Sequence, residues 1–167
     1  GFFFMGTPLS HSTSLALKEG NWNKSGGFEI SGKTIGIIGF GNIGSDLAKL
    51  LGPFDVKILA NDIDPKVFEG APKYVHPSSK DEIFELCDVI SVHTPLTEKT
   101  ENLINRSNIP MLKDGVIVIN TARGGIVNEA DVLDALRVSK IGGLGIDAYV
   151  QEPPVSYDLI SLKNVIC

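Results

Sequence analysis

The chain has 167 residues, 43% of them hydrophobic and 21% charged, a composition that buries a core and excludes disorder throughout. With 20 acidic against 15 basic residues the net charge is −5, so no basic stripe invites a nucleic acid or an anionic membrane surface as partner. This length predicts one domain with arms, and two cysteines without C-x-x-C spacing, Cys87 and Cys167, argue against a disulfide framework or a metal centre and for a reduced, cytoplasmic setting.

Residues 1–31 are rich in Ser, Asn and Gly and read as a ragged start and linker, with a hint of helix from Leu15 to Glu19. The cluster Phe2-Phe3-Phe4-Met5 is shorter than a signal-peptide core and far shorter than a membrane span. From Lys33 to Ile38 an apolar run predicts the first strand. A helix follows, with Ile43, Leu47, Leu50 and Leu51 at helical spacing as its buried face and Gly52-Pro53 as its stop. Val56 to Ala60 predicts a second strand, Lys80 to Cys87 a short helix, Asp88 to His93 a third strand and Gly115 to Asn120 a fourth. Between Asn105 and Leu112 any helix is kept short by Pro110. Asn128 is placed to cap a helix carrying Val132, Leu133 and Leu136, after which Gly142-Gly143 break toward a strand over Leu144 to Asp147. His76, before Pro77, reads as loop, Trp22 as a packing residue and Cys87 as a small buried hydrophobe. Residues 151–167 open on two adjacent prolines and read as an arm crossing back over the domain.

Strands alternating with amphipathic helices predict an α/β fold, a doubly wound and mostly parallel sheet. Between the first strand and its helix lies Gly39-Phe40-Gly41-Asn42-Ile43-Gly44, the spacing G-x-G-x-x-G in the strand-to-helix context of a Rossmann dinucleotide site. Gly39 permits the turn, Gly41 admits a pyrophosphate to the backbone, and Gly44 lets helix and strand pack closely, while the start of the helix attracts the anion. Asp62, 18 residues beyond Gly44, is placed to accept from the ribose hydroxyls. Its charge would repel a 2′-phosphate, and no arginine follows nearby, which points to NAD rather than NADP. Asp64, or a turn-capping role for Asp62, is the competing reading.

Four blocks in order carry a more specific likeness: Gly32 to Gly44; Val92-His93-Thr94-Pro95-Leu96; Ile119-Asn120-Thr121-Ala122-Arg123-Gly124-Gly125-Ile126-Val127; and Gly145-Ile146-Asp147 with Glu152-Pro153-Pro154. Together with Gly20-Asn21-Trp22, they make residues 18–167 resemble the nucleotide-binding domain of the D-2-hydroxyacid dehydrogenases, and the wording is most similar to the phosphoglycerate dehydrogenase branch of serine biosynthesis. The resemblance implies a single dinucleotide-binding domain over 32–150, with a truncated crossover arm after it and a substrate domain lying outside the chain. It implies that Gly39, Gly41, Asn42, Ile43, Gly44, Asp62, Thr94, Pro95, Thr121, Ala122 and Asp147 bind NAD, Asp147 at the nicotinamide carboxamide.

It further implies that Arg123 grips the carboxylate of a 2-hydroxy or 2-oxo acid, 3-phosphoglycerate by the branch, in a full-length parent, a task suited to a planar fork of donors. Glu152 then matches an acid that charge-stabilises a proton-carrying histidine. In the family that histidine follows a segment like Asn164-Val165-Ile166-Cys167, so it is expected just past this chain, which alone is expected to be inactive. Neither His11, His76 nor His93 fits the role; His93 reads as structural or cofactor-lining. A homodimer through this domain is implied as well, with Phe2 to Met5 and Trp22 as apolar surface. A non-catalytic NAD(H)-binding, dimerising module of corepressor type stays open beside the enzyme. An adenosylhomocysteinase-like NAD domain is disfavoured by the Ala-Arg-Gly-Gly-Ile-Val block followed by Glu152-Pro153.

Overall fold

The computed structural model describes residues 16–22, 29–154 and 157–167; Phe2 to Met5 and His11 lie outside them. Strands β1 (Thr34–Ile38), β2 (Lys57–Asn61), β3 (Val75–Pro77), β4 (Val89–Val92), β5 (Val116–Asn120), β6 (Ile141–Ile146) and β7 (Val165–Ile166) form one sheet in the order 3-2-1-4-5-6-7. Every pairing in it is parallel. Helices α1 (Asn42–Leu51), α2 (Lys80–Leu86) and α3 (Glu129–Arg137) make crossovers between strands.

Side chains alternate across the sheet with the period of two that a strand imposes. Ile35 and Ile37 of β1 join Ile117 and Ile119 of β5 in a core under α1, while Ile38, Val116 and Val118 enter the other core, under α2 and α3. Burial on both faces explains why the strands read as near-continuous β-branched runs. Ser79 caps α2 in a reciprocal box with Glu82, and the Asn128 side chain accepts from the Asp131 N–H at the start of α3. Cys87 is fully buried.

Several local expectations are corrected. The buried residues of α1 are Gly44, Ala48 and Leu51, whereas Ile43 and Leu50 are each 69% exposed; Gly44 sets the contact line with β1, and the larger side chains turn away from it. Beyond α1 the chain continues as a 3-10 turn over Gly52–Phe54, and the left-handed residue that ends it is Asp55. His76 lies in β3, an edge strand that ends at Pro77, an edge being where a strand tolerates a residue without an N–H. Gly142 and Gly143 lie inside β6 beside an irregularity in its pairing with β5, and a Cβ on Gly142 would sit 2.5 Å from the Gly115 carbonyl oxygen. Trp22 is 78% exposed rather than packed. Residues 157–167 add β7 to the sheet and Leu159 and Val165 to the core.

Candidate functional site

The strand order reverses between β1 and β4, and there the carboxyl ends of the strands open a crevice. Gly39 leaves β1 with φ +95°, and a Cβ on it would lie 2.6 Å from the His93 carbonyl oxygen, so the turn needs glycine on two counts. A Cβ on Gly44 would strike the Gly39 carbonyl, which is the close helix-to-turn packing expected of that position. At Gly41 the space a side chain would fill is open, and Gly41 caps α1 in an extended conformation with no side chain bonded to the helix start. The first N–H groups of α1 and its dipole are thereby left to an anion.

Asp62, just past β2, turns back onto this loop. Its Oδ2 accepts from the Phe40 N–H at 2.7 Å and its Oδ1 from the Asp64 N–H at 3.0 Å. The turn-capping role is therefore real, and it leaves room for a further donor because each carboxylate oxygen keeps a second lone pair. Phe40 itself is buried and stacks on Phe68 with ring centroids 5.0 Å apart, an anchor not signalled by the x position of the motif.

A cavity of about 270 Å³ lies here, lined by Gly39, Gly41, Asp62, His93, Thr94 and Pro95 among others. Thr94 Oγ1 is buried without a hydrogen-bond partner among the described residues, an acceptor and donor awaiting a ligand. Asn42 and Ile43 are exposed on the first turn of α1. His93 Nε2 is 2.9 Å from the Ser91 hydroxyl, and burial holds its pKa below the usual imidazole value. Lys80 and Lys99 also line this cavity; standing 18 and 37 positions from Asp62 in sequence, they carry no local signal.

A second cavity, of about 590 Å³, opens beyond β5 and β6 and brings together Thr121, Ala122, Arg123, Asp147 and Glu152. Buried Asn120 braces the turn beneath it: its Nδ2 donates to the Arg123 carbonyl at 2.9 Å and its Oδ1 accepts from the Ala122 N–H at 3.1 Å. Arg123 is exposed, with Nη1 on the Ala122 carbonyl at 2.7 Å. Glu152 Oε1 accepts from the Tyr149 N–H at 3.3 Å. Burial, then a hydrogen bond with Cys167, pushes the Tyr149 hydroxyl up to about 12, so it stays protonated at neutral pH. No histidine among the described residues lines this cavity. The arrangement offers a cation for a carboxylate, a carboxylate for a proton carrier, and a neighbouring groove for a dinucleotide.

Residues 9–167 match the family model of the D-isomer specific 2-hydroxyacid dehydrogenase, NAD binding domain. A hydroxypyruvate reductase of Thermotoga maritima is 42% identical over 158 residues, which are 92% of this chain and 51% of that protein. A D-3-phosphoglycerate dehydrogenase of Bacillus subtilis is 38% identical over 92% of this chain and 30% of that protein. The crystal structure of D-lactate dehydrogenase from Aquifex aeolicus, complexed with NAD and lactic acid, superposes with a TM-score of 0.85 at 29% identity, covering 98% of this chain and 55% of that one. The chain thus spans about half the length, or less, of these relatives.

Proposed function

The chain belongs to the D-isomer specific 2-hydroxyacid dehydrogenase family, of which it is an NAD-binding domain, and from that premise we propose that it serves hydride exchange between NAD and a small 2-hydroxy acid or the matching 2-oxo acid. The observation that carries the reading is the meeting of Arg123, Asp147 and Glu152 around one cavity at the carboxyl edge of the sheet that also carries the glycine loop. NAD suits the residues present: the open face of Gly41, the uncapped start of α1 and the unpartnered Thr94 hydroxyl all call for a phosphate-bearing, hydroxyl-rich ligand.

Gly39, Gly41, Asn42, Ile43 and Gly44 would hold its pyrophosphate, Asp62 its adenosine ribose, Thr94 and Pro95 the adenosine side, and Thr121, Ala122 and Asp147 the nicotinamide side. Bound there, NAD supplies the hydride acceptor or donor. Arg123 orients the acid through its carboxylate, and Glu152 stabilises the positive charge of a proton-carrying histidine.

Among 2-hydroxy acids and their 2-oxo counterparts, the Val92-His93-Thr94-Pro95-Leu96 and Ala122 to Val127 blocks favour 3-phosphoglycerate, while the 2-oxo acid hydroxypyruvate and the 2-hydroxy acid D-lactate are the acids of similar relatives and the alternatives to assay. Leu50 and Trp22, both exposed, support a homodimer through this domain; sedimentation as a monomer at micromolar concentration would contradict it. The unpaired thiols Cys87 and Cys167 support a cytoplasmic setting. The test is a steady-state assay with the three acids at saturating cofactor, run on this chain and on a longer form that adds a histidine and a second domain. Turnover by the longer form alone is expected. Ordinary turnover by this chain, abolished by Arg123→Ala, would overturn the claim that its site needs completing, and a longer form that binds NADH and dimerises without turnover would be a module of corepressor type instead.

A further inference from the structure

We propose that Glu129 is a positioning residue for the second cavity: from the first turn of α3 its carboxylate holds the 147–152 loop against the turn that carries Arg123, and so shapes the region of the site that takes the nicotinamide half of NAD. The inference rests on the function proposed above.

Glu129 Oε1 accepts from the Val150 N–H at 2.7 Å, across 21 residues of sequence. Val150 lies between Asp147 and Glu152, and among the described residues the other N–H bonds of this loop are Asp147 to the Asn120 carbonyl, at 3.1 Å, and Tyr149 to Glu152 Oε1, at 3.3 Å. Glu129 therefore accepts the shortest of these bonds, and it does so from outside the loop. The loop also lies directly on the Arg123 turn, for a Cβ on Gly124 would fall inside the Tyr149 carbonyl. Displacing Val150 would separate walls that touch main chain to main chain.

Its neighbours at the start of α3 serve other segments. Asn128 Nδ2 donates to Asn102 Oδ1 at 2.9 Å, and Asp131 accepts from the Arg106 N–H at 2.9 Å and from its guanidinium at 2.6 and 2.8 Å. A carboxylate anywhere in the first turn suits the helix dipole. Its aim at Val150 is what the helix does not require. Because Val150 is exposed, loss of the bond leaves its N–H to water, and the loop is released without a buried donor being stranded.

Calorimetric titration of this chain with NADH and, separately, with ADP tests the assignment, since ADP has no nicotinamide half. Glu129→Ala is expected to weaken NADH about fivefold to tenfold and ADP less than about twofold, and Glu129→Gln, whose amide oxygen accepts the same bond, to restore NADH to within about twofold of the unaltered chain. Equal losses for both ligands, no loss for either, or a glutamine variant that behaves like alanine would overturn it. If the unaltered chain binds neither ligand, the cofactor reading fails first, and the proposal with it; binding of both with no selective effect at Glu129 sinks the proposal alone.

Discussion

Around the glycine loop the cavity is shaped by main chain and by one carboxylate that grips it, whereas around Arg123 it is shaped by two loops tethered from a distance. Asp62 spends both oxygens on N–H groups of its own surroundings, and Gly39 and Gly44 fill spaces where no side chain fits. The second cavity is the larger, and its Arg123, Asp147 and Glu152 are all exposed. The Asn120 carbonyl, which accepts from the Asp147 N–H, joins its walls together with Gly124 and Glu129. The first region is preorganised by main chain that leaves no room for side chains and by a carboxylate hydrogen-bonded to it. The second leaves its charged groups exposed, and its shape depends on contacts between two separate loops. Substitutions should therefore separate cofactor affinity from turnover.

The widest separation is expected at Arg123. In a form of the protein that turns over a 2-hydroxy acid, Arg123→Ala should lower kcat/KM about 100-fold, the loss of a charge-assisted contact to the acid, while NADH affinity measured by fluorescence stays within about twofold. A parallel loss of NADH affinity would break the division between the two cavities. The mirror image is Asp62→Ala, expected to weaken NADH by about 1 to 3 kcal/mol with little change in turnover once cofactor saturates. Asp62→Asn sharpens this, because the amide oxygen can still accept from the Phe40 N–H: affinity should fall less than in the alanine variant, while discrimination against NADPH relaxes.

Gly124→Ala tests the close approach of the two loops. Overpacking against the Tyr149 carbonyl should cost about 1 to 3 kcal/mol of stability in thermal or denaturant unfolding, and the variant should lose affinity for NADH more than for ADP. A variant as stable as the parent would show that the loops are free to move apart.

The smallest effect concerns His93, in the first cavity. Burial lowers its folded-state pKa below the usual value of 6.5, so the fold prefers the neutral ring. Stability from that neutral form is present above pH 6.5 and is lost as pH falls through the unfolded and then the folded pKa. The Tm of the chain should decline on acidification below about pH 6.5, and His93→Gln should remove that share of the decline. Identical pH profiles would contradict it.

The two regions also differ in how far the sequence discloses them. The glycine loop, Asp62 and the β-branched strands are legible because each is a local pattern with a local cause: a turn that needs glycine, or a strand buried on both faces. What escapes depends on the assembled fold. Three-residue β3, with an exposed His76 and a terminal proline, has no pattern of its own and exists because β2 offers it an edge. Ile43 and Leu50 sit at helical spacing yet face solvent, because Gly44 and Ala48 set the packing line. In the second cavity Arg123 and Glu152 are found by resemblance, whereas Glu129, which holds the loop carrying Glu152, acts through a hydrogen bond to a segment whose proximity no spacing announces, and Asn120 braces its own turn through bonds to residues two and three positions on.

The most direct test of the central claim is a fluorescence titration of this chain with NADH and NADPH side by side. Saturable NADH binding is expected, with NADPH weaker by about tenfold or more, since a 2′-phosphate would meet the Asp62 carboxylate where the ribose hydroxyls otherwise donate to it. Equal affinities for the two cofactors, or no binding of either, would contradict it.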